Sequence, residues 1–226
     1  MYSIEDILIL GDSFCMFREN SNDWPVHLTK LLTGKENAPR GRGFGGASWW
    51  SVRKCLLEEL DKTPVKLLVM CHTEPMRLWS EENLPLNYRT LVQNQDERSL
   101  TLEYVYNARL AAIKNAGKLY YENLLDRDFH EWARDTWFKE LEEIIERYQI
   151  EKVIHLHCFN KRFLPKPSDH YVFKYGITVS TFLHSRAVYD PIYRNHFTNE
   201  VNIELAEKIY KAIETYTKPG LVDIHF

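Results

Sequence analysis

The sequence predicts an α/β fold: a three-layer α/β/α sandwich around a central, mostly parallel sheet of five strands. Three observations predict it. Short runs of aliphatic and β-branched residues recur along the chain, and stretches of helical period separate them. The 226 residues are also enough for one sizeable α/β domain. The chain is therefore read as a single domain over 1–226, with a helical insertion at about 79–149.

The strands come first. Residues 4–10 (IEDILIL) read as a short buried strand, and 66–71 (KLLVMC) as another. Residues 152–159 (KVIHLHCF) and 176–182 (GITVSTF) supply two more, and a fifth is expected near 37–43. The helices have clearer signals. Asn22, Asp23 and Pro25 precede an apolar stripe of Val26, Leu28, Leu31 and Leu32, as at a capped helix start. Residues 48–61 repeat Trp49, Val52, Leu56, Leu57 and Leu60 at helical spacing. The stretch 129–148 sets Trp137, Leu141, Ile144 and Ile145 against glutamates, and 198–216 carries Val201, Leu205, Ile209 and Ile213. Between the strands at 66–71 and 152–159 lies far more chain than one crossover helix needs, with a polar stretch and then two or three helices. An insertion of this kind commonly borders a site.

Composition excludes several classes of function. Apolar residues make up 44% and charged residues 27%, the profile of a soluble globule. A formal charge of −3 gives no electrostatic reason to expect nucleic acid or an anionic membrane as partner. No apolar run approaches the ~20 residues that cross a bilayer. Cys15, Cys55, Cys71 and Cys158 are widely spaced, and the chain opens without a basic-then-apolar leader. Reduced thiols in a cytoplasmic protein are the expected reading.

In an open parallel sheet, ligands sit at the carboxyl ends of the strands. Those ends read Gly11-Asp12-Ser13, then Cys71-His72-Thr73-Glu74, then Cys158-Phe159-Asn160. A further segment, Tyr189-Asp190-Pro191 through Arg194-Asn195-His196, precedes the last helix. One serine, one late histidine and several hydrogen-bonding groups are thus expected on one rim, as acyl transfer requires.

These blocks resemble the GDSL, or SGNH, hydrolase family of serine esterases, lipases and acetyl esterases. Strand-Gly11-Asp12-Ser13 is similar to its first block, and GRGFGGASWW at 41–50 to its second, with Gly46 as the counterpart. RNHFTNEVNIELAEKI at 194–209 resembles its last block, with His196 just before the C-terminal helix. The resemblance spans nearly the whole chain in order and implies a flavodoxin-like sheet. It implies Ser13 as nucleophile, His196 as base, the N–H groups of Ser13 and Gly46 as oxyanion donors, and a small-molecule or carbohydrate ester as substrate. It calls for no metal or organic cofactor.

Two departures stand out. Where the family has Gly-x-Asn-Asp, this chain has His72-Thr73-Glu74-Pro75, so the usual third donor is missing. Three residues before His196 stands Tyr193 instead of aspartate, and the nearest upstream acid is Asp190. Asp190 or a backbone carbonyl would orient His196. An ionised Glu74 repels an oxyanion, so Glu74 is expected either protonated or turned towards Arg77, with Thr73, His72 or a water as donor. Ser13 is expected to begin a helix whose positive end favours the oxyanion.

Plainer readings stand beside each role. Ser13 caps a turn, His196 caps a helix, Asp190 forms a turn before Pro191, and Gly46 is a turn glycine. His155 and His157 share a strand face with His72 nearby, but with no clear third ligand they read as buried structural histidines. The rival class is a catalytically weak or inactive binding protein with this fold. A nucleotide binder fits less well, because the loop after the first strand lacks a Gly-rich phosphate cradle.

Overall fold

The computed structural model describes residues 2–19, 21–79, 86, 91, 108–159, 173–179, 183–188, 195–215 and 219–222. Six strands form one parallel sheet: β1 (Ile7–Asp12), β2 (Arg40–Phe44), β3 (Leu67–His72), β4 (Lys152–His157), β5 (Ile177–Val179) and β6 (Gly220–Val222). Their order is β2-β1-β3-β4-β5-β6, with every described pairing parallel. The five expected strands are present, and β6 adds a three-residue edge beyond β5.

Alternation along the strands divides the core in two, because successive side chains leave a strand on opposite faces. Ile7, Ile9, Leu67, Val69, Ile154 and Leu156 meet helices α1 (Trp24–Thr33) and α5 (Asn199–Thr215) on one face. Leu8, Leu10, Leu68, Met70 and Val153 meet α2 (Trp49–Leu60) and α4 (Arg127–Arg147) on the other. The architecture is a three-layer α/β/α sandwich. Within the 79–149 stretch, α3 (Ala108–Asn123) precedes α4, and the polar segment at 80–99 lies largely outside the described residues. Tyr121 of α3 donates its hydroxyl to the Met76 and Leu86 carbonyls, at 2.6 and 2.9 Å, tying the helix to the segment after β3.

Local chemistry sets the helix ends. Ser48 caps α2 by accepting from the Ser51 N–H, and Asp126 caps α4 by accepting from Phe129. Gly34, at φ 71°, ends α1 in the left-handed conformation. Asp23 occupies the cap position of α1, but its carboxylate turns back to the Arg18 N–H and the Ser21 hydroxyl. The Trp24 N–H at the helix start is taken instead by Asn202 Oδ1 of α5, at 2.8 Å. Among the described residues, no helix is long and apolar enough to cross a membrane.

Candidate active site

The register of β1 with its neighbours gathers the strand ends. Gly11 lies opposite Cys71, and Asp12 opposite Phe44, so the turns after β1, β2 and β3 emerge side by side. Gly11 is required there: a Cβ at that position would fall on the Cβ and carbonyl oxygen of Cys71. The chain then makes a single 3₁₀ turn, Ser13–Cys15, in which the Met16 N–H returns to the Ser13 carbonyl. This corrects the expectation of a helix beginning at Ser13. Met16 is already extended, at φ −66° and ψ 143°, and α1 starts only at Trp24, so what Ser13 begins is one 3₁₀ turn and not an α-helix with a macrodipole of its own.

Ser13 and His196 meet. Ser13 Oγ lies 2.9 Å from His196 Nε2, although 183 positions separate them in sequence. With the serine hydroxyl donating, the imidazole accepts at Nε2 and carries its proton on Nδ1. His196 itself sits at φ 67°, a left-handed conformation uncommon for a residue with a side chain. Its neighbours hold it there. Asn195, fully buried, donates to Asn202 Oδ1 at 2.6 Å, and Asn202 Nδ2 donates to the Phe197 carbonyl at 3.2 Å. The Val188 N–H also donates to the His196 carbonyl, at 2.6 Å. Because Asn202 Oδ1 also takes the Trp24 N–H, while the Trp24 indole donates to the Phe14 carbonyl at 2.7 Å, one network joins the histidine turn to the serine turn. In the sequence this network shows only as the Asn195 and Asn202 pair, seven residues apart across a helix start.

The acids form a second cluster. Asp12 is fully buried, takes the Phe14 N–H at 2.9 Å, and lies 3.3 Å from Arg77 Nη1. Glu74 is also buried, with Oε2 3.7 Å from Arg77 Nε. Burial pushes both carboxyls above the ordinary carboxylate range, while Arg77 pulls both the other way. Thr73 Oγ1 lies 3.5 Å from Asp12 Oδ2, a long contact at best. Gly46 stands in the turn between β2 and α2 at φ 72°, where a residue with a Cβ would be strained. Asp190 and Asn160 lie outside the described residues.

Behind Thr73, a cavity of about 10 Å³ is lined by Trp49, His72, Thr73, Arg134 and Trp137, among others. It has room for about one water. His72, at the end of β3, also reaches the neighbouring strand β4. His72 Nε2 lies 2.9 Å from His155 Nδ1, and His155 Nε2 lies 3.1 Å from the Tyr175 carbonyl. A carbonyl only accepts, so His155 is protonated at Nε2 and takes the His72 Nε2–H at Nδ1. Burial pushes His155 down to about 3 and His72 well below the usual histidine range, so both are neutral. Among the described residues, no group of three or more His, Cys, Asp or Glu side chains is placed to hold a metal ion.

The four thiols are free and buried. Cys71, within β3, and Cys158, just after the neighbouring β4, lie on the α1/α5 face, and burial raises both thiols well above their ordinary range. No protein-family model, curated protein or solved structure matches the chain.

Proposed function

We propose that this protein is a serine hydrolase of the GDSL/SGNH type, cleaving a carboxylic ester through an acyl-enzyme. The 2.9 Å contact between Ser13 Oγ and His196 Nε2 carries this reading. A nucleophile and base at that distance, on a rim where four strands end, are the working parts of acyl transfer. The parallel order β2-β1-β3-β4-β5, with β6 beyond it, is compatible with a flavodoxin-like sheet and so supports the family reading at the level of architecture.

In this mechanism Ser13 attacks the ester carbonyl while His196 takes the hydroxyl proton at Nε2 and returns it to the leaving alcohol. A water then attacks the acyl-enzyme, with His196 again as base, and the acid departs. The N–H groups of Ser13 and Gly46 hold the oxyanion. Asp190 or a backbone carbonyl fixes the imidazole tautomer. The substrate is a small-molecule or carbohydrate ester with a short acyl or acetyl group, and the setting is cytoplasmic. No step calls for a metal or an organic cofactor.

One observation favours a second reading, a binding protein with little or no activity. The place of the family's third oxyanion donor is occupied by Thr73, near the Asp12 carboxylate, and by Glu74, an acid. Losing one such donor costs about 10²–10³ in rate.

A fluorophosphonate separates the two, because it needs an activated serine but not the true substrate. The hydrolase reading expects labelling at Ser13, lost in Ser13→Ala. It also expects turnover of a short aryl ester to fall by roughly 10³-fold or more in Ser13→Ala and His196→Ala alike, with the double variant little worse. Absence of labelling leaves the binding protein, and labelling at another serine overturns Ser13 as the nucleophile.

A further inference from the structure

We infer that Arg77 is the positioning residue that sets the serine turn against the Gly46 turn, and so fixes the separation of the two oxyanion N–H groups. The inference rests on the hydrolase reading above. It follows from where one guanidinium reaches. Arg77 Nη1 donates to Asp12 Oδ2 at the end of β1 and to the Ala47 carbonyl after β2, each at 3.3 Å. Its Nε faces Glu74, after β3, at 3.7 Å. Its guanidinium carbon lies 4.7 Å above the ring of Phe159, after β4. Four strand ends therefore share one cation.

The contacts run onward to the reacting groups. Asp12 Oδ1 takes the Phe14 N–H, so the carboxylate that meets Arg77 also shapes the turn containing Ser13. Ala47 adjoins Gly46, so the carbonyl held by Arg77 belongs to the peptide segment that would supply the second donor. Phe159 packs edge-on to Phe14 at 5.5 Å, and Phe14 lies 5.2 Å from the His196 ring. Displacing the guanidinium thus disturbs both donors and the base.

Only 7% of the Arg77 side chain is exposed, and the contacts named are all with the protein rather than open to a ligand. Filling that space with an apolar side chain avoids burying a charge, so a buried cation there points to specificity of placement. Lysine does not reproduce it. An ammonium is a single point of charge on a flexible stem, whereas the rigid guanidinium donates from Nη1 to both Asp12 and Ala47 while it lies over the Phe159 ring. Among the described residues its Nε makes no hydrogen bond and has Glu74 only as an ion-pair neighbour.

Fluorophosphonate labelling of the wild type and Arg77→Lys tests this. If Arg77 only neutralises Asp12 and Glu74, lysine suffices. If it positions the turns, the maximal labelling rate of Arg77→Lys falls about 10–100-fold. The half-saturating reagent concentration then stays within about twofold, because Ser13 and His196 remain. A fall of less than about threefold in folded Arg77→Lys overturns the inference. Should circular dichroism show Arg77→Lys unfolded, Phe159→Leu decides: it removes the ring beneath the guanidinium without touching a charge. Labelling at least threefold slower supports positioning, and a smaller change overturns it. A wild type that does not label at Ser13 defeats the hydrolase reading itself, which separates the two failures.

Discussion

In the proposed mechanism, Thr73 is the residue offered to the developing negative charge. Its hydroxyl has one proton, and in the free protein the nearest carboxylate is Asp12, at 3.5 Å. So long a contact is weak, so turning the hydroxyl towards an oxyanion sacrifices little. Thr73→Val keeps the shape and removes the proton; turnover of an aryl ester is expected to fall about 10-fold or more if that proton serves the oxyanion. Glu74 is the opposite case. It lies 3.7 Å from Arg77 and makes no closer bond to it, while Asp12 and Ala47 hold the guanidinium. Glu74→Gln is therefore expected to change the rate by less than about fivefold, since it removes a charge without removing a tie. Steady-state kinetics on the two variants check this. A nearly inactive Glu74→Gln beside an unaffected Thr73→Val would make Glu74 the acid and reverse the assignment.

At the scale of elements, Asn202 joins α5, the start of α1 and the His196 turn. Asn202→Ala leaves the buried Trp24 N–H and Asn195 amide without their acceptor, so a loss of about 1–3 kcal/mol is expected, read from the denaturant midpoint. Activity is expected to fall with it, because the left-handed backbone at His196 relies on the same network. An unchanged midpoint would show that water replaces the amide. Such links explain what the sequence made legible. β1, β3 and β4 are buried throughout or nearly so; β1 and β3 carry the apolar runs ILIL and LLVMC, and β4 (KVIHLH) keeps Val153, Ile154 and Leu156 around its histidines. β2 (RGRGF) is a partly exposed edge whose arginines and glycines leave no apolar period, and β6 has three residues, too few for any period. Ser13 and His196 were legible because each adjoins a strand or helix end with a recognisable pattern. The Arg77 tie was not, because half of it is a backbone carbonyl, at Ala47, that no side-chain pattern encodes.

For the whole molecule, the buried histidines make stability depend on pH. His155 is held neutral, its folded-state value pushed down to about 3 by burial, whereas an unfolded histidine titrates near 6.5. Between those values the unfolded chain binds the proton and the folded one does not. Stability attributable to His155 is therefore full above about pH 6.5 and is lost as pH falls, at about 1.4 kcal/mol per pH unit, until about pH 3. His72, lowered by burial and by its histidine neighbours, adds a loss of the same sign. Asp12 and Glu74 oppose this, because carboxyls raised by burial favour the folded state on acidification, from their raised values down to the unfolded ones. The net curve mixes both, so a comparison isolates the histidine. Glutamine at position 155 offers a carbonyl to accept from His72 and an N–H to give to Tyr175, but no proton to gain. Measured by urea unfolding at pH 7, 6, 5 and 4, the wild type is expected to lose ground to His155→Gln on each step below pH 6. The gap should grow by about 1–1.4 kcal/mol per unit. Parallel curves would mean that His155 accepts a proton in the folded state, and that the chain from His72 to Tyr175 is charged rather than neutral.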